Sequence, residues 1–392
     1  MSDVAVREME PGANPQPSPT PRALGYRMPA EWEPHEATWL AWPHNPDDWP
    51  GKFQPIPWVY AEIVGHLARV EDVHILVDDA AAEKRARGVL KKTGANLKRV
   101  HFHPWPTDRV WTRDSGPIFV SKDLRVEPES GDTDLALARI GSAPVAVTNW
   151  KFNAWAKYPD WHLDDQIPGL VAELLDMPQW EPTIETAAGP YRVVLEGGSI
   201  DVNGAGTLIT TEECLLSEVQ QRNPGVDREQ LEKVMHDYLG IEQVLWMNRG
   251  IAGDDTHGHV DDITRFVGPN TIVTVTEPNT EDDNHLPLQE NLDRLQSARN
   301  ANGKPYEIIE LPMPPPIVFQ GQRLPASYAN FYIANDLVLV PIFNRGTDRN
   351  AMNILAGAFP TREVVGIYCG DLIWGLGTLH CMTQQQPKAE TP

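Results

Sequence analysis

Near its C-terminus the chain places a cysteine among small and polar residues. Cys381 stands in the segment GTLHCMTQQQP, residues 377–387. A cysteine attacks as its thiolate, so it needs a polar, partly exposed setting and a partner that takes its proton. This setting is more typical of a nucleophile than of a core residue, and we predict that Cys381 is a nucleophile.

The other two cysteines have apolar surroundings in the sequence. Cys214 precedes Leu215 and Leu216, and Cys369 ends the apolar run of residues 364–368. Neither has an acid–base partner in its local sequence, and free cysteine is among the most buried residue types. We therefore interpret both as structural.

The proton partner of Cys381 must come from elsewhere, and the segment GDDTHGHVDD, residues 253–262, is the best candidate. His259 and Asp261 are two residues apart, so in an extended segment both side chains point to one face. Asp255 lies four residues before His259. Taken alone, His259 and Asp261 fit a structural pair equally well.

Two further carboxylates and an indole complete the set of candidates. Asp114 lies in WTRDSGP, where a cap or turn role is the ordinary explanation. Glu196 follows an apolar run in VVLEGG, and burying a charge is costly unless it is paired or functional. Trp111 is either a core residue or a cation–π wall beside a cationic substrate.

A thiolate, an imidazole and three carboxylates suit one reaction in particular. Two carboxylates can hold the edges of a planar guanidinium, which leaves its central carbon open to a nucleophile. Histidine can protonate the departing nitrogen, and water can then hydrolyse the covalent adduct. This pattern predicts deimination of a small cationic guanidine without a cofactor.

Composition excludes several other classes. Lys and Arg number 33 against 55 Asp and Glu, a net charge of −22, which repels phosphate backbones and anionic lipid surfaces. Three cysteines in 392 residues cannot build a disulfide framework, and no early apolar stretch resembles a signal or a membrane span. We expect a soluble, cytoplasmic protein with no nucleic-acid or membrane partner; the sequence leaves open a homo-oligomer.

The candidate residues must be positioned by one domain. Residues 1–24 are rich in proline and predict a flexible tail, residues 25–386 a single catalytic α/β domain, and residues 387–392 a frayed end.

Apolar strand segments recur every 65 to 80 residues or so, with amphipathic helices between them. The strand segments are 37–42, 117–120 with 124–126, 199–202 with 207–210, 263–267 with 272–275, and 330–333 with 337–340. The predicted helices are 58–69, 164–176, 228–239 and 288–298.

Closing five such units around an axis would bury their apolar faces and bring equivalent loops together. An ordinary open α/β sheet is the alternative. We favour the ring because Asp114, Glu196 and Asp261 each stand just ahead of a predicted strand.

Several ordered motifs resemble those of the agmatine deiminase branch of the guanidine-modifying enzymes. They are RMPAEWEPH at 27–35, WTRD at 111–114, NWKFNAW at 149–155, LEGG at 195–198, GHVD at 258–261 and HCMTQQQP at 380–387. The resemblance implies a five-bladed α/β propeller and neither metal nor organic cofactor. By resemblance Cys381 is the nucleophile, His259 the general acid and base, and Asp114 with Asp261 the guanidinium clamp.

The resemblance further implies that Glu196 assists the histidine or the substrate, and that Trp111 lines the pocket. It implies agmatine as substrate, with N-carbamoylputrescine and ammonia as products. Asp255 is where an acid could meet the agmatine amine. Departures from the family pattern at His257, Asp262 and the segment Gly375-Leu376-Gly377 keep another guanidine open, such as arginine or a C-terminal arginyl peptide.

Two rival functions remain at this stage. A hydrolase could use Asp254, His257, His259 and Asp261 as ligands of zinc or manganese, and it would need no cysteine. A sensor could bind cationic guanidines without turning them over.

Overall fold

The computed structural model describes residues 19–122, 143–186 and 189–389. Within these residues five small sheets share one plan, in which two strands pair antiparallel and a third joins parallel to the second. A parallel third strand requires a crossover, and a helix supplies it in each unit. The predicted five-bladed α/β propeller is thereby confirmed.

The strands of each sheet follow in spatial order. The first sheet contains Gln384–Pro387, His35–Ala41, Asp72–Leu76 and Val100–His103. The second contains Tyr26–Arg27, Ile118–Lys122, Val145–Thr148 and Gln179–Trp180. The third contains Asp201–Val202, Thr207–Thr211 and Gln243–Met247, and the fourth Thr264–Gly268, Thr271–Thr276 and Glu307–Pro312. The fifth contains Tyr332–Ile333, Leu337–Ile342 and Glu363–Tyr368.

Helices and two small hairpins surround these sheets. The α-helices are Ile56–Leu67, Ala80–Thr93, Thr112–Ser115, Ile167–Leu174, Glu212–Leu216, Arg228–Leu239, His285–Ser297 and Asp348–Ala358. The hairpins pair Thr183–Thr186 with Gly189–Arg192 and Ile317–Phe319 with Gln322–Leu324. Among the described residues, no helix is long and apolar enough to cross a membrane.

Local sequence explains the helix boundaries. Helix Arg228–Leu239 begins at a capping box, in which Asp227 and Gln230 each accept from the other's backbone N–H. It ends at Gly240, whose φ of 71° is a left-handed conformation that glycine adopts without strain. Its buried face, led by Leu231 and Met235, packs into a core beside the second and third sheets.

Three of the four predicted hairpins are confirmed, in the third, fourth and fifth sheets. The remaining predicted hairpin, which falls in the second sheet, differs. Strand Ile118–Lys122 pairs with Val145–Thr148, and the predicted partner at 124–126 lies outside the described residues. The strand segment at 37–42, for which the sequence predicted no hairpin partner, is also paired. Strand Gln384–Pro387 pairs antiparallel with His35–Ala41, so the two ends of the chain close the ring.

The predicted tails are shorter than expected where the structure describes them. Residues Arg22–Leu24 form a 3-10 helix, and Leu24 is buried because it packs into the same core as Leu231. Pro387 is a buried residue of the closing strand, and the Lys388 N–H donates to the Pro34 carbonyl. The rest of both predicted tails, residues 1–18 and 390–392, lies outside the described residues.

The ring brings five equivalent positions together. In each unit, one carboxylate, amide or thiol side chain lies two to five residues before the first strand of the antiparallel pair. These residues are Asp114, Glu196, Asp261, Asn330 and Cys381. The residues that precede the strands therefore build the site, while the strands supply the rigid frame.

Candidate active site

Cys381 lies at a cavity of about 350 Å³ that Trp111, Asp114 and Trp155 also line. Its exposed fraction is 6%, so the nucleophile is more buried than the sequence predicted. The surroundings are nevertheless polar, because the Asn330 amide donates to Sγ over 3.1 Å and Sγ donates to Asp261 Oδ2 over 3.7 Å. A small substrate can thus reach the sulfur while bulk water is largely excluded.

In the unliganded protein Cys381 is a thiol. Burial raises its pKa well above the ordinary value, and the carboxylates of Asp261, Asp262 and Asp114 raise it further. A cation placed among these carboxylates would oppose that effect. The site therefore favours formation of the thiolate when a cationic substrate is bound.

The two carboxylate oxygens of Asp261 have different surroundings. Oδ2 lies 2.7 Å from His380 Nδ1 and near the thiol, whereas the buried Oδ1 has no hydrogen-bond partner among the described residues. Burial would raise the pKa of this carboxyl, but the hydrogen bond and charge of His380 hold it below its usual value. An ionised oxygen without a partner is a ready acceptor for a guanidinium N–H.

Asp114 lies on the short helix Thr112–Ser115 and is held by two donors. The Trp155 indole N–H donates to Oδ2 over 2.9 Å, and the Gly198 backbone N–H donates to Oδ1 over 3.0 Å. Burial raises the pKa of Asp114 to about 6, against the lowering effect of His259 and Trp155. The carboxyl is thus ionised at neutral pH and becomes neutral in mild acid.

Gly198 is required for this close approach. A Cβ at this position would lie 2.6 Å from His259 Nδ1 and 2.7 Å from Asp114 Oδ1, closer than real contacts allow. The glycine therefore lets the backbone of the LEGG segment touch both the histidine and the carboxylate.

His259 stands between two carboxylates, with Nδ1 3.7 Å from Asp114 and Nε2 3.6 Å from Glu196. Burial would lower its pKa, but Asp114, Cys214 and Glu196 together raise it well above the usual value. Neither ring nitrogen has a hydrogen bond within the described residues. The histidine is thus an imidazolium whose protons are available to a substrate.

Glu196 is fully buried and pairs with a fully buried arginine. Arg222 Nε donates to Oε1 over 2.9 Å, which leaves Oε2 toward His259. Burial would raise the pKa of Glu196, but Arg222 and His259 lower it to about 2. Glu196 therefore remains ionised beside the imidazolium.

Cys214 has a partner in space that its local sequence did not indicate. Its sulfur, a Glu196 oxygen and a His259 nitrogen lie within 4.8 Å of one another. In the described part of the chain, these are the residues grouped closely enough to share a metal ion. Cys214 is buried, as predicted, but it borders the site.

Three of the four ligands of the rival metal hydrolase are otherwise engaged. Asp254 accepts from the backbone N–H groups of Gly258 and His259, and His257 contacts the Ser217 hydroxyl over 3.2 Å. Asp261 contacts His380 instead. Their side chains do not form one ligand group among the described residues.

The two predicted substrate-binding residues both line the cavity. Trp111 is held against the nucleophile segment, where Gly377 leaves room for its ring, since a Cβ there would lie 2.7 Å from Cζ3. Asp255 is already paired, with Lys157 Nζ at 2.5 Å and the Tyr158 hydroxyl at 2.7 Å. A substrate amine at Asp255 would have to compete with the ammonium of Lys157.

Comparisons with known proteins agree with this geometry. The family model of the Porphyromonas-type peptidyl-arginine deiminases matches residues 27–387. The chain belongs to this family. It is 36% identical to the agmatine deiminase of Pseudomonas aeruginosa (strain LESB58), over 95% of this chain and 98% of that protein. It is therefore an agmatine deiminase-like hydrolase of the guanidine-modifying superfamily, as the motifs indicated.

Solved structures support the same assignment. The agmatine deiminase of Enterococcus faecalis superposes with a TM-score of 0.81 at 28% identity, covering 96% of this chain and all of that one. A cysteine-to-serine variant of C. jejuni agmatine deiminase with substrate bound superposes with a TM-score of 0.77 at 25% identity, covering 93% of this chain and 97% of that one. Guanidine deimination is the chemistry that these relatives share with the site.

Four neighbours of the predicted residues were not identified from the sequence. They are Trp155, Arg222, Asn330 and His380. Trp155 and His380 stand inside motifs that the sequence analysis quoted, so their positions were visible although their contacts were not. Arg222 and Asn330 lie outside every quoted motif, and no local signal distinguished them.

Proposed function

We propose that the protein hydrolyses agmatine to N-carbamoylputrescine and ammonia through a covalent intermediate on Cys381. The observation that supports this most strongly is the clustering of four groups at one cavity: Cys381 and Asp114 line it, Asp261 contacts the Cys381 sulfur, and His259 lies beside Asp114. Cys381 and Asp261 are in contact, although 120 positions separate them in the sequence. No simple structural role requires that assembly.

The reaction follows from the groups present. Asp114 and the free oxygen of Asp261 hold the guanidinium, whose charge lowers the pKa of the thiol. Sγ bonds to the guanidinium carbon as the thiol proton leaves, with Asp261 Oδ2 the nearest acceptor. His259 protonates the departing nitrogen, the C–N bond breaks, and ammonia leaves a thiouronium.

The second half of the reaction uses the same histidine. After losing its proton, His259 takes one from water, whose oxygen bonds to the thiouronium carbon. The C–S bond then breaks, Asp261 returns its proton to the sulfur so that the thiol is restored, and the ureido product leaves after giving its hydroxyl proton to solvent. Glu196 stabilises the imidazolium in both halves, since it lies 3.6 Å from Nε2.

The cavity favours a substrate with two positive charges. Its lining contains five aspartates and a single arginine, Arg109, among the residues that the structure describes. The aspartates are Asp47, Asp48, Asp114, Asp160 and Asp255. Agmatine carries an ammonium besides the guanidinium, whereas arginine carries a carboxylate that these aspartates repel.

Arginine or a C-terminal arginyl peptide is the second candidate, and Arg109 is the observation that favours it. Its guanidinium lines the cavity and could meet a carboxylate. It is, however, already bonded to Asp48 at 3.0 Å and to both oxygens of Asp160. We therefore rank agmatine first.

An ammonia-release screen over agmatine, arginine and arginyl peptides tests the proposal. We expect turnover of agmatine, complete loss in Cys381→Ala, and retained turnover in Cys369→Ala, a matched buried cysteine in the fifth unit. Turnover that survives in Cys381→Ala would refute the covalent mechanism. Turnover of another guanidine in place of agmatine would refute the substrate assignment alone, and binding without turnover would favour a sensor. The reducing cytoplasm remains our proposed location, because the reaction needs a free thiol.

A further inference from the structure

His380, the residue before the nucleophile, is buried between two carboxylates. Its Nδ1 lies 2.7 Å from Asp261 Oδ2, and its Nε2 lies 2.8 Å from Glu31 Oε2. Its exposed fraction is 1%. Both contacts can be hydrogen bonds to ionised carboxylates only when each ring nitrogen carries a proton. The geometry thus points to an imidazolium directly behind the guanidinium clamp.

Glu31 anchors the far side of this histidine. Besides His380, its Oε2 accepts from Arg265 Nη2 over 2.6 Å and lies 3.7 Å from Arg113 Nη2. Its Oε1 accepts from the Ile333 N–H over 2.7 Å. With these partners the carboxylate is fixed in place, so the imidazole ring that it holds is fixed too.

The same ring governs which Asp261 oxygen meets the substrate. His380 and the thiol both use Oδ2, which leaves Oδ1 buried and without a hydrogen-bond partner in the part of the chain that the structure describes. Without the imidazole, Oδ2 would lose its strongest partner and the carboxylate could rotate. The adjacent residues His380 and Cys381 therefore have linked tasks: Cys381 supplies the proposed nucleophile, and His380 holds the Asp261 carboxylate that faces it.

We propose that His380 is a positioning residue for the deimination reaction, which holds Asp261 ionised and oriented so that Oδ1 accepts the substrate guanidinium. The inference rests on the proposed function, since it assigns Asp261 to the clamp. His380 touches neither the substrate nor the Cys381 sulfur in this scheme and acts through Asp261, whose Oδ2 it contacts.

The electrostatic surroundings of Asp261 explain why this carboxylate needs a donor such as His380. The charged and titratable groups that face Asp261 are His380, His259, Arg265, Asp114, Asp262 and Cys381. Two of these are acids that oppose ionisation of Asp261, and burial opposes it as well. Removing the charge of His380 should raise the pKa of Asp261, so that it takes up a proton at a higher pH.

Variants at position 380 test this assignment through a pH profile. His380→Ala removes both hydrogen bonds and the charge, whereas His380→Asn keeps a donor near the Nδ1 position. We expect kcat/KM for agmatine to fall by about 10- to 100-fold in His380→Ala, mostly through KM, because a bond to a charged group is lost. We also expect its acid limb, which Asp114 begins near pH 6, to become steep at a higher pH than in the wild type because Asp261 also takes up a proton there, and His380→Asn to recover part of both effects.

A second measurement makes the test independent of turnover. In a Cys381→Ala background, calorimetry of agmatine binding should show a weaker Kd after His380→Ala, with the loss greatest at low pH. His285→Asn is the matched control, since that histidine bonds the Glu277 carbonyl and contacts none of the site residues named above.

The outcomes separate the two proposals. A uniform loss of kcat/KM with an acid limb of unchanged shape, or equal losses in the alanine and asparagine variants, would overturn the role of His380 while deimination stands. A wild-type protein that binds agmatine without turning it over would refute the proposed function, and the binding profile would still decide the role of His380. If His380→Ala fails to fold, the asparagine variant carries the test by its own acid limb, which must still become steep at a higher pH because the positive charge is gone.

Discussion

The indole N–H of Trp155 helps to keep Asp114, one half of the proposed guanidinium clamp, ionised. It donates to Asp114 Oδ2 over 2.9 Å in a fully buried setting, and it lowers a pKa that burial has raised to about 6. Trp155→Phe keeps an aromatic ring and removes only this donor and part of the ring. The carboxylate then loses one of two hydrogen bonds and is easier to protonate.

The size of the effect follows from the hydrogen bond. A bond to a charged group contributes about 1.5 to 3 kcal/mol, and one pKa unit corresponds to 1.36 kcal/mol. The pKa of Asp114 should therefore rise by about one to two units, from about 6 to about 7 or 8. At pH 7 the ionised fraction would fall by about two- to tenfold, and above pH 9 it would recover.

The assay is the pH profile of kcat/KM for agmatine, followed by ammonia release. Because the clamp needs an ionised Asp114, kcat/KM should decline as pH falls through about 6 in the wild type and through about 7 or 8 in Trp155→Phe. Trp161→Phe is the matched control, since Trp161 is half-buried, stacks on His162 and does not line the cavity. Coincident acid limbs for Trp155→Phe and the wild type would refute the reasoning, even if the variant were slower at every pH.

Three further outcomes can be checked with the same protein. Gly198→Ala should reduce kcat/KM by more than about a hundredfold, because the new Cβ displaces His259 and Asp114. Gly357→Ala, in a helix with open space around the glycine, is the control and should leave activity unchanged. Normal kinetics in Gly198→Ala would show that His259 and Asp114 can move without loss of activity. Glu196→Gln should lower the free energy of unfolding by about 3 to 5 kcal/mol, measured by denaturant titration, since Arg222 is left buried without a counter-charge. Because the pKa of Glu196 lies near 2, below its ordinary 4.5, that difference should be complete above about pH 4.5 and shrink toward pH 2; a difference that persists unchanged at pH 2 would exclude the ion pair as its source. A chelator should leave ammonia release unchanged, and inhibition that added zinc or manganese reverses would revive the metal-hydrolase hypothesis.

Much of the ring could be predicted from local pattern. Helix 228–239 was predicted with its observed bounds, because apolar spacing and caps coincide there. The helices Ala80–Thr93 and Asp348–Ala358 were missed, since their buried faces are largely alanine with few large apolar residues. The parallel third strands, such as Gln243–Met247, were also missed, because their pairing depends on a crossover that no local turn signals.

The site was predicted where a chemical residue type coincided with a strand start. Asp114, Glu196 and Asp261 satisfied that condition, whereas Cys381 was singled out by its polar sequence setting; the structure brings all four together. Asn330 holds an equivalent position but carries no charge, so its type gave no reason to single it out. Cys214 illustrates the opposite limit, because its neighbour His259 is distant in the sequence and close only in space.

Closure of the ring by residues 384–387 ties catalytic competence to completion of the fold. Strand Gln384–Pro387, which closes the propeller against His35–Ala41, begins three positions after Cys381. A truncated polypeptide without this strand has neither a closed ring of blades nor a fixed position for the Cys381 thiol. During biosynthesis the thiol is the last of the five convergent side chains to emerge from the ribosome. On the proposed mechanism, a nascent chain is therefore inert toward guanidines until this last strand is in place.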